Sequence, residues 1–386
     1  MIKFIDSVKK EELKDKKVLM RTDLNVPLTQ LPTVNHQLPI IAEKFRIKAQ
    51  KETLDYLVGS GAKVLLVAHL NAGDSFLPIT EQIGEILGHT LTLVSHSELG
   101  QVAQLFSECS ILLLDNIRQD PREEKNDKEL ALRLSEGFDF YVNNDFSVCH
   151  RNHASVSAIS EYLPSYAGLQ IRKETENLAK ALNAPIASKV LVLGGAKIST
   201  KLPVIKNFID KAEKILVGGA IANNFFRAQG IDVGSSLVDD SVPANLVTYD
   251  VTRLPEDVLI SRDKARGTEA EPYPIKDLDK SHAIVDIGPE TAKHFSEIIK
   301  KSSLTIWNGP MGISEVEKFS QGTKVIAEAV VKAKHSIVGG GDTIAAIDKL
   351  GLLDKFSYVS TGGGAMLAFL AGEELPGLKA LGYYKK

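Results

Sequence analysis

Apolar residues fall in short, nearly continuous runs along this chain. In the first half the runs are KVLMRTDLN, AKVLLVAHL, ILLLDNIR and FDFYVNNDF. In the second half they are KVLVLGGAK, KILVGGAIA, DVLIS, AIVDIG, LTIWNGP, HSIVGGG and SYVSTGGG. They are rich in β-branched residues and lack polar alternation, the pattern of strands buried on both faces. Stretches of helical period lie between many of them, such as RIKAQKETLDYLVGSG, LPVIKNFIDKAEK and GTKVIAEAVVKAK. Strand-helix alternation of this kind predicts an α/β fold of parallel sheets covered by helices on both sides. A boundary is visible near residues 168–188, where GLQIRKETENLAKALNA reads as a charged helix and PIASKV starts a new strand. A chain of 386 residues is also long for one domain,. The expected division is a domain over 1–167, a connecting helix over 168–183, a second domain over 184–370 and a tail over 371–386.

The strand ends of the two halves differ in chemistry. In the first half they carry Asp23, Asn25, His69, Arg118 and Arg151. In the second they carry glycine turns: GGAK, GGAIA, NGPMG, GGGDT and TGGGA. Ligands of open parallel sheets bind outside the carboxyl ends of the strands. One domain therefore offers cations and hydrogen-bonding side chains there, and the other offers backbone. A glycine turn opening a helix presents N–H groups and a positive dipole end to phosphate. Asp342, within one such turn, would repel phosphate unless a cation lay between them, and Mg²⁺ held by one carboxylate plus phosphates fits. It reads equally as a helix N-cap. Lys197 and Lys201, four apart, would share a helical face and neutralise phosphate, or simply begin a solvated helix. There is no GxxxxGK[ST] sequence and no clear GxGxxG,. Arg46, Arg118 and Arg151 have the fork geometry that suits carboxylate and phosphate. With His150 and His153 beside Arg151, they suggest a small phosphorylated acid.

Composition narrows the partners. Hydrophobic residues make up 44%, charged residues 25%, and the net charge is −3. Bulk charge thus gives no reason to expect a nucleic-acid or membrane partner. Two cysteines, Cys109 and Cys149, are outside any CxxC pair and read as reduced, buried thiols,. MIKFIDSVKKEELKDKK is charged throughout, and no apolar run approaches the ~20 residues that span a bilayer. The expected location is the cytoplasm.

The motifs VLMRTDLNVPL, DNIR, HRNHAS, LGGAKISTKLPVI, DIGPET, IWNGPMG, GGGDT and STGGGA run in order along almost the whole chain. In this the sequence resembles the phosphoglycerate kinase family. The resemblance implies two doubly wound, Rossmann-like domains joined by a helix, with the tail returning to the N-terminal domain. It also implies reversible phosphoryl transfer between 1,3-bisphosphoglycerate and ADP, giving 3-phosphoglycerate and MgATP, by a monomer. Carried over by motif, Asp23, Asn25, Arg46, His69, Arg118 and Arg151 would hold the acid. Arg46 and Lys197 would stabilise the phosphoryl group in flight. Lys201, Asn308, Glu315, Asp342 and Thr343 would hold the nucleotide and its metal. Gly195, Gly219, Gly340, Gly341, Gly363 and Gly364 would form a backbone cradle and pocket wall.

The resemblance has departures. HLNAGD stands where the family has HLGRP, so one substrate-binding arginine is missing and the turn looks shortened. PLTQLPTVNHQLPIIAEKFRI is longer than the usual link to Arg46 and lacks its acidic pair. VNNDFSVCHR replaces VNDAFGTAHR, and Met366 and Ala368 stand where serine and glutamate are common. These leave open an alternative, a non-catalytic relative that keeps the nucleotide site. A dehydrogenase would share the fold class but leaves the arginines and Asp342 unexplained. Two ligands on separate domains react only if the domains close, which also excludes water. Solution scattering is therefore expected to show a smaller radius of gyration with both ligands than with neither; an unchanged radius would refute closure.

Overall fold

The computed structural model describes residues 2–29, 39–71, 73–241, 246–262, 269–278 and 282–385. Ala72 and residues 30–38 of the long link before Arg46 lie outside the described residues. The chain forms two units, one of residues 1–176 with 374–386 and one of residues 177–373.

In the first unit the strands are β1 (Lys17–Arg21), β2 (Leu28–Thr29), β3 (Ile40–Ile41), β4 (Lys63–Val67), β5 (Thr92–Val94), β6 (Ile111–Leu114), β7 (Phe140–Asn143) and β8 (Ser165–Ala167). Strands β2 and β3 pair as a small antiparallel ribbon at the two ends of the long link. The other six make one sheet in the order β5-β6-β4-β1-β7-β8, and every pairing in it is parallel. Period-two alternation sends Val18, Met20, Val64 and Leu66 into one apolar cluster and Leu19, Leu65, Val67 and Leu112 into another. Both faces of the sheet are thus buried, as the continuous apolar runs imply. The chain starts at the sheet centre, builds outward on one side, and then crosses to the other. The order reverses between β1 and β7, so the carboxyl ends of these two strands flank a crevice.

The second unit repeats this plan. Its strands are β9 (Lys189–Leu193), β10 (Lys214–Val217), β11 (Thr252–Arg253), β12 (Asp257–Ser261), β13 (Glu271–Pro274), β14 (Ala283–Ile287), β15 (Leu304–Asn308), β16 (Ser336–Gly339) and β17 (Tyr358–Ser360). The main sheet runs β11-β10-β9-β15-β16-β17, again all parallel. Here the order reverses between β9 and β15. DVLIS and AIVDIG depart from expectation: as β12 and β14 they pair antiparallel, with β13 on the other side of β12. An apolar run does not reveal its partner's direction, because both kinds of sheet bury such a strand equally well. Six strands that are very short or of low apolar content, β2, β3, β5, β8, β11 and β13, were not visible as runs.

Helices follow the periodic stretches: Phe45–Gly59, Leu169–Asn183, Leu202–Phe208 and Gln321–Val331. The tail helix Pro376–Ala380 belongs to the first unit, where the Gly377 N–H donates to the Cys149 carbonyl at 2.9 Å. Both cysteines are free; Cys149 is buried, but Cys109 is only half-buried.

Several helix starts are capped from a neighbouring strand. The Asp257 carboxylate at the head of β12 accepts from Glu290 N at 3.1 Å and from Thr291 N and Oγ1 at 2.8 and 2.6 Å. It satisfies first-turn N–H groups of helix Pro289–Lys300 that have no partner within the helix,. Asp257→Ala is expected to cost about 1–2 kcal/mol, the usual cost of losing a cap. A calorimetric melting temperature equal to wild type would show the cap to be dispensable.

Candidate active site

The crevice of the first unit is built on a buried arginine. Arg21 closes β1 with 1% exposure. Its Nη1 donates to Asp145 Oδ2 at 2.8 Å and to the Thr22 carbonyl at 2.6 Å. Its Nη2 lies 3.0 Å from His69 Nδ1, and its Nε donates to Ser155 Oγ at 3.1 Å. Ser155 Oγ in turn donates to Glu123 Oε1 at 2.6 Å. These contacts join the ends of β1, β4 and β7 to the HRNHAS segment.

Around this frame stand the residues that the motifs named. Asp23 is fully buried; one oxygen accepts from Asn25 N at 3.1 Å and the other lies 3.5 Å from Arg46 Nη1. Burial and the nearby Asp145 push its carboxyl up to about 7, against the opposing pull of Arg46. Burial also holds His69 far below the usual imidazole range, helped by Arg21, Arg118, Arg151 and His153. His153 is pushed down to about 4 by burial and then by Arg151, Arg118 and Arg21. The structure therefore gathers Asp23, Asn25, Arg46, His69, Arg118 and Arg151 on one edge of one sheet. The charge there is carried by guanidinium groups, which do not deprotonate, and the imidazoles are neutral.

The altered turn after β4 is tied into this group. Asn71 N donates to Asn25 Oδ1 at 2.9 Å, and Asn71 Oδ1 accepts a short hydrogen bond from Arg118 Nη1. Arg118 Nε also lies 3.3 Å from Glu124 Oε1. Where the resemblance leads one to expect a cation, the turn thus supplies an acceptor for Arg118.

In the second unit the glycine turns fall into two kinds. The inner turns bond one another. Gly194 N donates to Asn308 O at 2.9 Å, Gly195 N to Pro310 O at 2.7 Å, Gly219 N to Met311 O at 2.9 Å and Ile221 N to Gly195 O at 3.1 Å. A Cβ on Gly309, at φ +97°, would stand 2.2 Å from Gly194 O, so the turns at the β9/β15 switch close only as glycine. The outer turns open helices. Gly340, at φ +102°, precedes helix Gly341–Lys349, and Gly363 precedes helix Gly364–Leu370. The first-turn N–H groups of Gly341, Asp342 and Thr343 have no partner within their helix.

Asp342 is the second residue of its helix; Gly340 is the N-cap and no side chain caps the end. The N-cap reading of Asp342 is therefore set aside. Lys197 and Lys201 do not share an α-helical face, because a 3₁₀ turn over Ile198–Thr200 separates them. Lys197 is exposed, while Lys201 is withdrawn from water, which lowers its proton affinity against the pull of Asp342. Asn308 is buried, and its Nδ2 has no partner among the described residues; a Cβ on Gly340 would come 3.0 Å from it. Thr343 is fully buried and its hydroxyl accepts from Gly309 N at 2.7 Å. A cavity of about 340 Å³ runs over the inner turns. Gly195 and Gly219 line it, Pro310 and Ile287 give it apolar walls, and Glu315 and Asp342 also border it. Met366, one of the departures, is buried beneath Gly339.

Sequence reasoning missed Arg21, Glu43, Glu123, Asp145 and Ser155 around the crevice of the first unit and Asp286 in the cavity wall of the second. Arg21 had a signal, a charge inside an apolar strand run. The others are polar residues whose partners are distant in sequence.

The phosphoglycerate kinase family model matches residues 8–373. A curated phosphoglycerate kinase of Dictyoglomus turgidum is 39% identical over 401 residues, covering 98% of both chains. Among solved structures, phosphoglycerate kinase from Coxiella burnetii superposes with TM-score 0.80 at 32% identity, covering 100% of both chains. That from Pyrococcus horikoshii OT3 superposes with TM-score 0.84 at 29% identity, also covering 100% of both.

Arginine charges help to hold His153 down, so an anion that neutralises them should raise it. Between pH 4 and 6.5, roughly, phosphate binding is then accompanied by proton uptake. His153 imidazole resonances are expected to titrate near pH 4 without phosphate and at higher pH with it. A midpoint that phosphate leaves in place would show that no anion binds against these arginines.

Proposed function

The chain belongs to the phosphoglycerate kinase family and has that family's activity, a phosphotransferase reaction with a carboxyl group as acceptor; from this premise we propose which residues perform it. The supporting observation is the contrast between the two switch points: arginines at β1/β7, and glycine backbone with an adjoining cavity at β9/β15. The acid binds in the unit of residues 1–176, where Asp23, Asn25, His69, Arg118 and Arg151 hold its phosphate, hydroxyl and carboxyl groups. The nucleotide binds in the unit of residues 177–373. Gly195 and Gly219 floor the cavity for the base, while Gly340, Gly341, Gly363, Gly364, Lys201, Asn308, Glu315 and Thr343 set the phosphate side. The buried Asn308 Nδ2 is a donor aimed at the Gly340 turn, and Thr343 fixes that turn through Gly309.

In the reaction the phosphoryl group leaves the acyl oxygen of 1,3-bisphosphoglycerate for the terminal phosphate oxygen of ADP. Such a transfer is catalysed by positioning and by charge aimed at the loose transition state. Arg46 and Lys197 supply that charge, one from each unit. The residues also fit Mg²⁺. Asp342 is an exposed carboxylate in a helix first turn beside a glycine turn, and no three acidic, histidine or cysteine side chains gather as a protein-only site among the described residues. A cation held by one carboxylate and by substrate phosphates suits that arrangement and neutralises the phosphate oxygens. This reading makes the enzyme a cytoplasmic monomer that acts on small molecules; its net charge of −3 gives no reason to expect a nucleic-acid or membrane partner,.

A coupled assay of ATP formation from 1,3-bisphosphoglycerate and ADP tests the assignment. Asp342→Ala is expected to lose most turnover while its melting temperature stays close to wild type. Wild-type turnover in this variant would remove the metal role from Asp342.

A further inference from the structure

Arg46 is held before any ligand arrives. Its Nη1 lies 3.5 Å from Asp23 Oδ2 and its Nε lies 4.0 Å from Glu43 Oε2. Glu43 itself is 9% exposed and precedes the helix Phe45–Gly59 that carries Arg46. Its other oxygen, Oε1, accepts a short hydrogen bond from Phe45 N and a 3.3 Å bond from Arg46 N. One carboxylate thus caps the helix and faces the guanidinium that the helix presents. Lys44, the N-cap residue of this helix, makes no side-chain cap bond, so Glu43 supplies the acceptor from one position earlier.

From this geometry we propose that Glu43 is the positioning residue for Arg46. The inference rests on the reading of Arg46 as a charge that acts on the phosphoryl group in transfer. Capping fixes the plane of the Glu43 carboxylate, because Oε1 is bound to two backbone N–H groups. The position of Oε2 is then set, and with it the direction of Arg46 Nε. A guanidinium is planar, so fixing Nε and Nη1 orients the whole fork. The Arg46 side chain is 17% exposed, and that exposure leaves the fork open to a ligand. One of the two carboxylates facing Arg46 is local, Glu43 three residues earlier in the chain, and the other, Asp23, comes from the end of β1. Glu43 touches no reacting atom in this scheme; it acts through Arg46.

Glu43→Gln separates the two roles. The amide oxygen still accepts from the helix N–H groups, while the amide nitrogen confronts Arg46 Nε donor to donor. The melting temperature should stay close to wild type, kcat should fall by about 10-fold or more, and KM for ADP should be unchanged. In an Arg46→Ala background the same substitution should add nothing further. If Glu43→Gln folds poorly, Glu43→Asp carries the test, since the shorter acid still caps but falls short of Nε. An unchanged kcat in the variant that folds would overturn the proposal. So would an equal loss in both backgrounds, which would show that Glu43 acts on the helix rather than on Arg46. Wild-type kcat in Arg46→Ala alone would instead refute the role of Arg46, a failure that the same measurements tell apart.

Discussion

A guanidinium taken out of water must find an acceptor for its donors inside the protein. Arg21 meets that demand with Asp145, His69, Ser155 and the Thr22 carbonyl. Each partner comes from a different point along the carboxyl edge of the first sheet, so satisfying one buried charge fixes the relative positions of β1, β4 and β7. Replacing Arg21 with a neutral residue would leave Asp145 buried and unpaired, the expensive way to break such a pair. Burial, reinforced by this charge and those of Arg118 and Arg151, suppresses protonation of His69 and His153. The positive character of the crevice is therefore set by arginines and persists across the whole neutral range.

The second unit shapes its cavity by excluding side chains. The inner turns at β9, β10 and β15 hydrogen-bond one another so closely that a Cβ on Gly194, Gly219 or Gly309 would strike backbone atoms. Those glycines are required by the fold itself, and their N–H groups are already engaged. The outer turns at β16 and β17 differ. Gly363 has open space where a Cβ would stand, and its constraint is a φ of +48°. Two physical demands, close approach and backbone angle, produce the same residue in the sequence.

That ambiguity marks how far the sequence could be read. The two parallel sheets were legible because both faces of each strand are buried, which writes itself as apolar runs. The direction of β12 and β14 was not, since direction depends on partners far along the chain. Among the proposed site residues, Arg46 and Asp342 were visible through their motifs and local chemistry. The capping of helix Phe45–Gly59 by Glu43 was not, because glutamate ahead of a helix is common and its second oxygen has no signature. The separation of Lys197 from Lys201 by a 3₁₀ turn was also hidden, because the spacing of four that suggested a helix says nothing about which helix forms.

The tail helix bears on the order in which the molecule is made. Residues 374–386 complete the first unit, with Gly377 hydrogen-bonded to Cys149 and seated against Val156. Residues 177–373 form a continuous stretch and emerge from the ribosome before that helix does. The unit begun first is thus finished last. During synthesis Cys149 and Val156, on either side of the HRNHAS segment, wait without the Gly377 contact while the whole of the other unit is translated and free to fold. Nascent chains therefore pass through a stage in which residues 177–373 are complete and the first unit still lacks its final brace,.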